Sequence, residues 1–267
     1  MDTGADPHAV AGRSDRALIA LSGIDVSLGG RLILSNIDLD IRRGEFLCIV
    51  GGSGCGKTTL LRVIAGLVAP SAGTLTIAGQ AVTEPRQDVA VVFQDYAKAL
   101  LPWRTAAANV ELALEANQTP KSQRREIIEE LLAKVGLRGQ GEKFPSQLSG
   151  GMQQRLQIAR CLAQKPAVLL MDEPFGALDA MTRQALQDEI LSLVANSDTT
   201  VFFVTHDLEE AVYLGDRVVG LAPNPGRIGA SIEVDLPRPR DQLTTREHPD
   251  FLHQRRVLFD FIKETEA

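Results

Sequence analysis

Eight consecutive residues carry the strongest chemical signal in the chain. Gly51-Gly52-Ser53-Gly54-Cys55-Gly56-Lys57-Thr58 follows the pattern G-x-x-x-x-G-K-[ST]. Its glycines let the backbone curl so that successive N–H groups converge on phosphate oxygens. A helix opening at Thr58 and Thr59 adds its positive N-terminal dipole. In such a loop Lys57 reaches the β- and γ-phosphates, and Thr58 offers its hydroxyl to Mg²⁺. A second signal is Asp172-Glu173, two carboxylates closing the apolar run Val168-Leu169-Leu170-Met171. Alone, that pair reads as a solvated turn. Beside a phosphate loop, Asp172 is expected to help hold Mg²⁺ and Glu173 to orient and deprotonate an attacking water.

These groups need rigid elements to position them. Phe46 to Val50 is a continuous apolar run ending in glycines, the pattern of a strand buried on both faces. Thr58 to Leu67 then reads as a helix, and Pro70-Ser71-Ala72-Gly73 turns the chain into a strand over Thr74 to Ala78. Upstream, Leu32, Leu34, Ile37, Leu39 and Ile41 fit strands broken by Gly29-Gly30 and Arg42-Arg43-Gly44. Residues 97 to about 165 read as a mostly helical insertion. Within it, Pro120 is placed at a first helical position, and Gly136 stops the run of Ile127, Ile128, Leu131, Leu132 and Val135. Strands return at Ala167–Met171 and Thr200–Val204, joined by a helix near 180–195. This alternation predicts an α/β fold with a mostly parallel sheet flanked by helices. Leu252, Val257, Leu258, Phe259 and Ile262 predict a short amphipathic helix near the C-terminus, more simply a packing element than a regulatory one.

Composition limits the partners. Lys plus Arg number 28 against 34 Asp plus Glu, a net charge of −6, so wrapping of nucleic acid is not expected. No apolar run approaches the ~20 residues a membrane helix needs, and the N-terminal stretch lacks the apolar core of a secretory signal. Cys48, Cys55 and Cys161 form no CxxC pair and are odd in number. A disulfide framework is therefore not expected, and a reducing cytosol is. Oxidation of Cys55, inside the phosphate loop, is expected to block nucleotide.

Between the two chemical motifs lies Leu148-Ser149-Gly150-Gly151-Met152-Gln153-Gln154-Arg155, where Ser149 and two glycines open a helix and make a second anion-binding N-terminus. This segment resembles the signature of ATP-binding-cassette ATPases. The resemblance covers roughly residues 18 to 240, with every motif in order. It implies a P-loop NTPase core with an N-terminal antiparallel β subdomain. It also implies a head-to-tail dimer in which Ser149, Gly150 and Gly151 of one copy close over ATP held by the other. Gln94 resembles the glutamine that contacts Mg²⁺ or water and senses the membrane subunit. Asp179, in Ala177-Leu178-Asp179, resembles the residue facing across the dimer, and it can equally cap the next helix near Thr182. His206, in Thr205-His206-Asp207, resembles the switch histidine that contacts the γ-phosphate.

Leu100-Leu101-Pro102-Trp103-Arg104, Phe175-Gly176-Ala177, Asp207-Leu208-Glu209-Glu210-Ala211 and Pro223-Asn224-Pro225-Gly226-Arg227 are similar to segments of the ATPases of nitrate, sulfonate and taurine importers. So is Asp235-Leu236-Pro237-Arg238-Pro239-Arg240. That likeness implies an Mg-dependent ATPase at the cytoplasmic face of a bacterial-type membrane. Its implied partners are two permease subunits, a second copy of itself and, indirectly, an extracytoplasmic solute-binding protein. Trp103, the single tryptophan, either anchors packing in the helical insertion or meets the permease. The implied division is a tail at 1–16, the ATPase domain at 17–237 and a partly helical extension at 238–267. One position departs from the family: Leu28 stands where an aromatic residue usually stacks on adenine, so weak discrimination between ATP and GTP is expected. Two rivals have other features. A non-transport cassette ATPase would bring a long coiled coil or a tandem cassette, and a nucleotide-gated module would lack Asp172, Glu173 and His206.

Overall fold

The computed structural model describes residues 17–195 and 197–266; the expected tail at 1–16 lies outside the described residues. Two sheets organise the chain. The first is antiparallel, in the order β2-β1-β4-β5, built from β1 (Ala17–Leu28), β2 (Arg31–Arg42), β4 (Ala72–Ile77) and β5 (Gln80–Ala81). The second has the order β10-β9-β3-β8-β7-β6. In it β3 (Phe46–Gly51), β6 (Val89–Val92), β7 (Val168–Asp172), β8 (Thr200–Val204) and β9 (Arg217–Ala222) run parallel, and β10 (Arg227–Glu233) is antiparallel to β9.

The continuous apolar runs are the central strands of the parallel sheet, buried along their whole length. Alternate side chains face opposite cores. Phe46, Cys48, Val50, Leu169, Met171, Val201 and Phe203 face the helices; Leu47, Ile49, Val168, Leu170, Phe202 and Val204 face the antiparallel sheet and α1 (Lys57–Ile64). The insertion is helical as expected, with α2 (Tyr96–Ala99), α3 (Ala106–Ala116), α4 (Lys121–Lys134) and α5 (Gly150–Ala163). The chain then passes through α6 (Ala180–Ala195), α7 (Leu208–Leu214), α8 (Thr244–Glu247) and α9 (Pro249–Glu266).

Four local expectations change. Helix α1 stops at Ile64 rather than Leu67, because Gly66 turns left-handed at φ 71° and its Cα lies so close to the Glu84 carbonyl that a Cβ would meet it at 2.5 Å. Pro120 is the residue before α4, extended at ψ 136°, instead of its first helical residue. The C-terminal helix is longer than expected at 18 residues and is turned differently. Phe251 and Leu258 are buried and Phe261 fills the space above Gly220 and Gly229, while Leu252, Val257 and Phe259 face solvent. Trp103 is 71% exposed, so it does not anchor packing.

Candidate functional site

Four neighbouring strands in the order β3-β8-β7-β6 deliver the chemical residues from their C-terminal ends, where open parallel sheets bind ligands. The phosphate loop leaves β3, Gln94 follows β6, Asp172 and Glu173 end β7, and His206 follows β8. A cavity of about 560 Å³ collects them: it is lined by Ser53, Gly54, Gly56, Lys57, Thr58, Thr59, Gln94, Glu173 and His206, with Ile33 from β2.

The loop has the backbone its glycines permit. Gly54 (φ 76°) and Gly56 (φ 102°) are left-handed, and Gly56 is the residue before α1, with no side-chain cap of its own. The first N–H groups of α1 are thus left for an anion. Lys57 Nζ folds over the loop and donates to the carbonyls of Gly51 (2.8 Å) and Gly52 (2.9 Å). Cys55 corrects the expectation of a redox-sensitive loop. Its side chain is buried in the core, 3.9 Å from Lys57 Nζ and tight against Gly51, so only its backbone faces the phosphate side.

Thr58 Oγ1 donates to Asp172 Oδ1 at 3.1 Å. Burial pushes the Asp172 carboxyl above its ordinary value, the Thr58 hydroxyl pulling it back down. A buried carboxylate beside a hydroxyl at the edge of this cavity is a hard-oxygen donor set of the kind Mg²⁺ takes, and a cation there would offset the desolvation. Glu173 is left-handed at φ 47°, a conformation that costs a non-glycine residue about 1–3 kcal/mol and that accumulates at functional sites. The turn is held by Glu173 N–H donating to Val204 O (3.0 Å) and aims the carboxylate into the cavity. There Gln94 Nε2 donates to Glu173 Oε2 (3.2 Å), and His206 Nδ1 lies 3.3 Å from the same oxygen. His206 is otherwise open to solvent.

The structure does not bring every expected residue to this cavity. Ser149 caps α5, accepting from Met152 N–H, and Gly150 and Gly151 form its first turn. Gly151 packs against Ala177 and Leu178, where a Cβ would stand 3.0 Å from Leu178 Cδ2. The signature segment therefore adjoins Asp179 rather than the phosphate loop. Asp179 accepts from Thr182 N–H (3.0 Å) ahead of α6, and Thr182 holds its carboxyl below the usual range. Leu28 is at the tip of β1, half exposed, and does not line the cavity.

Three residues contribute here in ways the sequence did not assign to them. Ile33 forms one wall. Gln154 Nε2 donates to Glu173 O (3.5 Å), tying α5 to the left-handed turn at Glu173. Gly226 lies between β2 and the phosphate loop: its N–H donates to Ile33 O, its carbonyl accepts from Ser35 N–H, and a Cβ on it would come within 2.2 Å of Cys55 O. Its Pro-Asn-Pro-Gly-Arg setting was visible in sequence; the close approach was not.

Known proteins share this architecture. The profile of the ABC transporter family matches residues 34–176, and the chain belongs to that family. It is an ATP-hydrolysing cassette of the P-loop α/β class. An uncharacterized ABC transporter ATP-binding protein of Methanocaldococcus jannaschii is 49% identical over 231 residues, 86% of this chain and 84% of that one. The nitrate import ATP-binding protein NrtC of Synechococcus elongatus is 47% identical over 90% of this chain, which spans only 37% of that longer protein. The bicarbonate transport ATP-binding protein CmpD of Synechocystis is 44% identical, covering 88% of this chain and 83% of its own length. Among solved structures, a dimeric bacterial ABC transporter cassette superposes with a TM-score of 0.73 at 33% identity, over 81% of this chain and 98% of its own. A dimeric cassette bound to ADP and Pi gives 0.72 at 32% identity, with the same two coverages.

Proposed function

We propose that the chain is the ATPase subunit of an importer for a small anionic solute, working as a homodimer on two permease subunits at the cytoplasmic face of the membrane. The observation that supports the chemistry best is the Glu173 carboxylate, shared by Gln94 and His206 above the phosphate loop. The relatives named for nitrate and bicarbonate support the solute class, and no helix among the described residues is long and apolar enough to cross a membrane. Delivery of the solute by a separate binding protein is part of the same reading.

In this reading the loop N–H groups of Gly51 to Thr58 and Lys57 Nζ bind the phosphates of ATP. Thr58, Asp172 and Gln94 would hold Mg²⁺, which would neutralise phosphate charge. Glu173 accepts a proton from the attacking water, and Gln94 fixes its carboxylate by donating to it. His206 sits beside the same oxygen and faces the γ-phosphate. Ser149, Gly150 and Gly151 offer the α5 N-terminus to nucleotide held by the partner copy, with Asp179 alongside. The exposed Trp103 reaches the permease. Residues 17–237 form the ATPase domain and 238–267 an extension.

Glu173→Gln keeps the shape of the turn and removes the base. ATP binding should persist while turnover falls by about 10²–10⁴-fold, the range of general-base catalysis. Full turnover in that variant would remove Glu173 from its role. Uptake of labelled nitrate, bicarbonate and taurine, measured with and without the chain in cells carrying its permease subunits, tests the solute class. Loss of uptake of none of them would refute it.

A further inference from the structure

The polypeptide after β10 does more than cover the sheet. It wraps α7, the helix that begins immediately after His206, and holds it at both ends. At the C-terminal end the Arg240 guanidinium donates to the carbonyls of Val212 (3.1 Å), Tyr213 and Gly215 (2.7 Å), the last acceptors of the helix. Burial lowers the pKa of this arginine to about 10. At the N-terminal end Glu209 receives Arg246 (3.0 Å) from α8 and Arg255 (2.5 Å) from α9, and Arg246 lies 5.0 Å over the Tyr213 ring.

A hydrogen-bond chain continues inward from there. Gln242 Nε2 donates to Gln187 Oε1 (3.3 Å), and Arg246 Nη2 donates to the same oxygen (3.4 Å). Gln187, fully buried on α6, donates to Glu210 Oε1 (3.2 Å). The other oxygen of Glu210 accepts from Thr205 Oγ1 (2.8 Å), and Thr205 Oγ1 accepts from Asp207 N–H (3.0 Å). The chain thus ends on both neighbours of His206. Every member is polar, and most of the inner ones are buried, where an unmet partner costs most. A helix that needed only apolar packing against the sheet would not require it.

We propose that the C-terminal extension positions the Thr205–Asp207 turn, and with it the His206 ring, through the relay Gln242/Arg246–Gln187–Glu210–Thr205. The proposal rests on the reading of His206 given above. Arg246, Gln242, Gln187 and Glu210 are positioning residues that touch no nucleotide. Their loss leaves the phosphate loop intact and loosens one ring at the cavity edge.

The test uses full-length chain carrying Arg246→Met, Gln187→Met or Gln242→Ala, each made alone and on a His206→Ala background. ATPase kcat, KM for ATP and the thermal midpoint are measured for all. Loss of one charge-assisted bond in the relay should lower kcat by about five- to tenfold. KM should change less than twofold, and the further fall should vanish on the His206→Ala background, because the relay then has nothing to aim. Should Gln187→Met unfold, Gln242→Ala carries the same test from a part-buried position outside the core, and its thermal midpoint reports the loss of its other bonds to Gln184 O and Asp188. Unchanged kcat in both Arg246→Met and Gln242→Ala, or a fall that persists without His206, overturns the proposal. Intact turnover of His206→Ala by itself overturns the reading of His206 and the proposal with it, and that single variant tells the two failures apart.

Discussion

Gly226 is the position where one methyl group should do most damage to nucleotide binding without touching nucleotide. Its backbone is threaded between β2 and the phosphate loop, exchanging hydrogen bonds with Ile33 O and Ser35 N–H. A Cβ would lie 2.2 Å from Cys55 O, 2.8 Å from Leu34 Cδ2 and 3.2 Å from Ile33 O. Two of those three atoms are backbone carbonyl oxygens, which cannot rotate away as the end of a side chain can. Relief to ordinary contact requires Cys55 O to retreat by about 1 Å, and Cys55 is part of the loop whose amides cradle phosphate. Overpacking of this kind costs about 1–3 kcal/mol, which lowers the melting midpoint of a domain this size by about 2–10 °C. A displacement near 1 Å in a positioning element can cost on the order of 10²-fold in rate. Gly226→Ala is therefore expected to melt earlier and to bind ATP at least tenfold more weakly. Differential scanning calorimetry and titration with a fluorescent ATP analogue measure the two effects. A variant with wild-type midpoint and wild-type ATP affinity would refute the reasoning, since the loop would then have moved at no cost.

Other outcomes follow from the same geometry. Lys57→Ala removes the ammonium that bridges the loop carbonyls and should weaken nucleotide binding; unchanged affinity would end its phosphate role. Leu28→Tyr should tighten ATP about 5- to 150-fold, from the ~1–3 kcal/mol of a base–aromatic stack, and should sharpen preference over GTP; equal ATP affinity of the two proteins counts against that placement of adenine. All three cysteines are buried, and burial raises the Cys48 thiol and pushes Cys161 up to about 11. Thiolate, the reactive form, is therefore scarce until the pH nears that value. A disulfide reagent at pH 8 should find no fast thiol in folded protein and three after denaturation; one fast thiol assigned to Cys55 would contradict its buried position.

The chemistry of this protein was legible before its shape. Each candidate site group comes with a local pattern: glycines that free the loop backbone, an apolar run that must be a buried strand, carboxylates at the end of another. Buried strands announce themselves because both faces meet a core, so Phe46–Val50 and Val168–Met171 could be placed without a fold. The helical insertion was visible in its periodicity for the opposite reason: one face alone packs inward, as Ile128 and Leu132 do on α4. Boundaries were less secure where a contact distant in sequence decides them. Helix α1 ends early because Gly66 is pressed against Glu84, and no local pattern carries that information. The amphipathic pattern in the C-terminal helix was real but pointed the wrong way for Leu252, Val257 and Phe259, because Gly220 and Gly229 leave a recess that Phe261 fills.

Sequence by itself determined which atoms could bind phosphate, hold a divalent ion and accept a proton, since those are properties of residue type and spacing along one strand or turn. Tertiary structure decided which of them meet. Gln94, Glu173 and His206 leave three different strands and converge only because β6, β7 and β8 lie side by side and end at one edge. The same packing turned Cys55 inward, exposed Trp103, wedged Gly226 against the phosphate loop and laid the C-terminal arginines on the helix beside His206. Each of those outcomes depends on how the whole chain packs, which spacing along it does not encode.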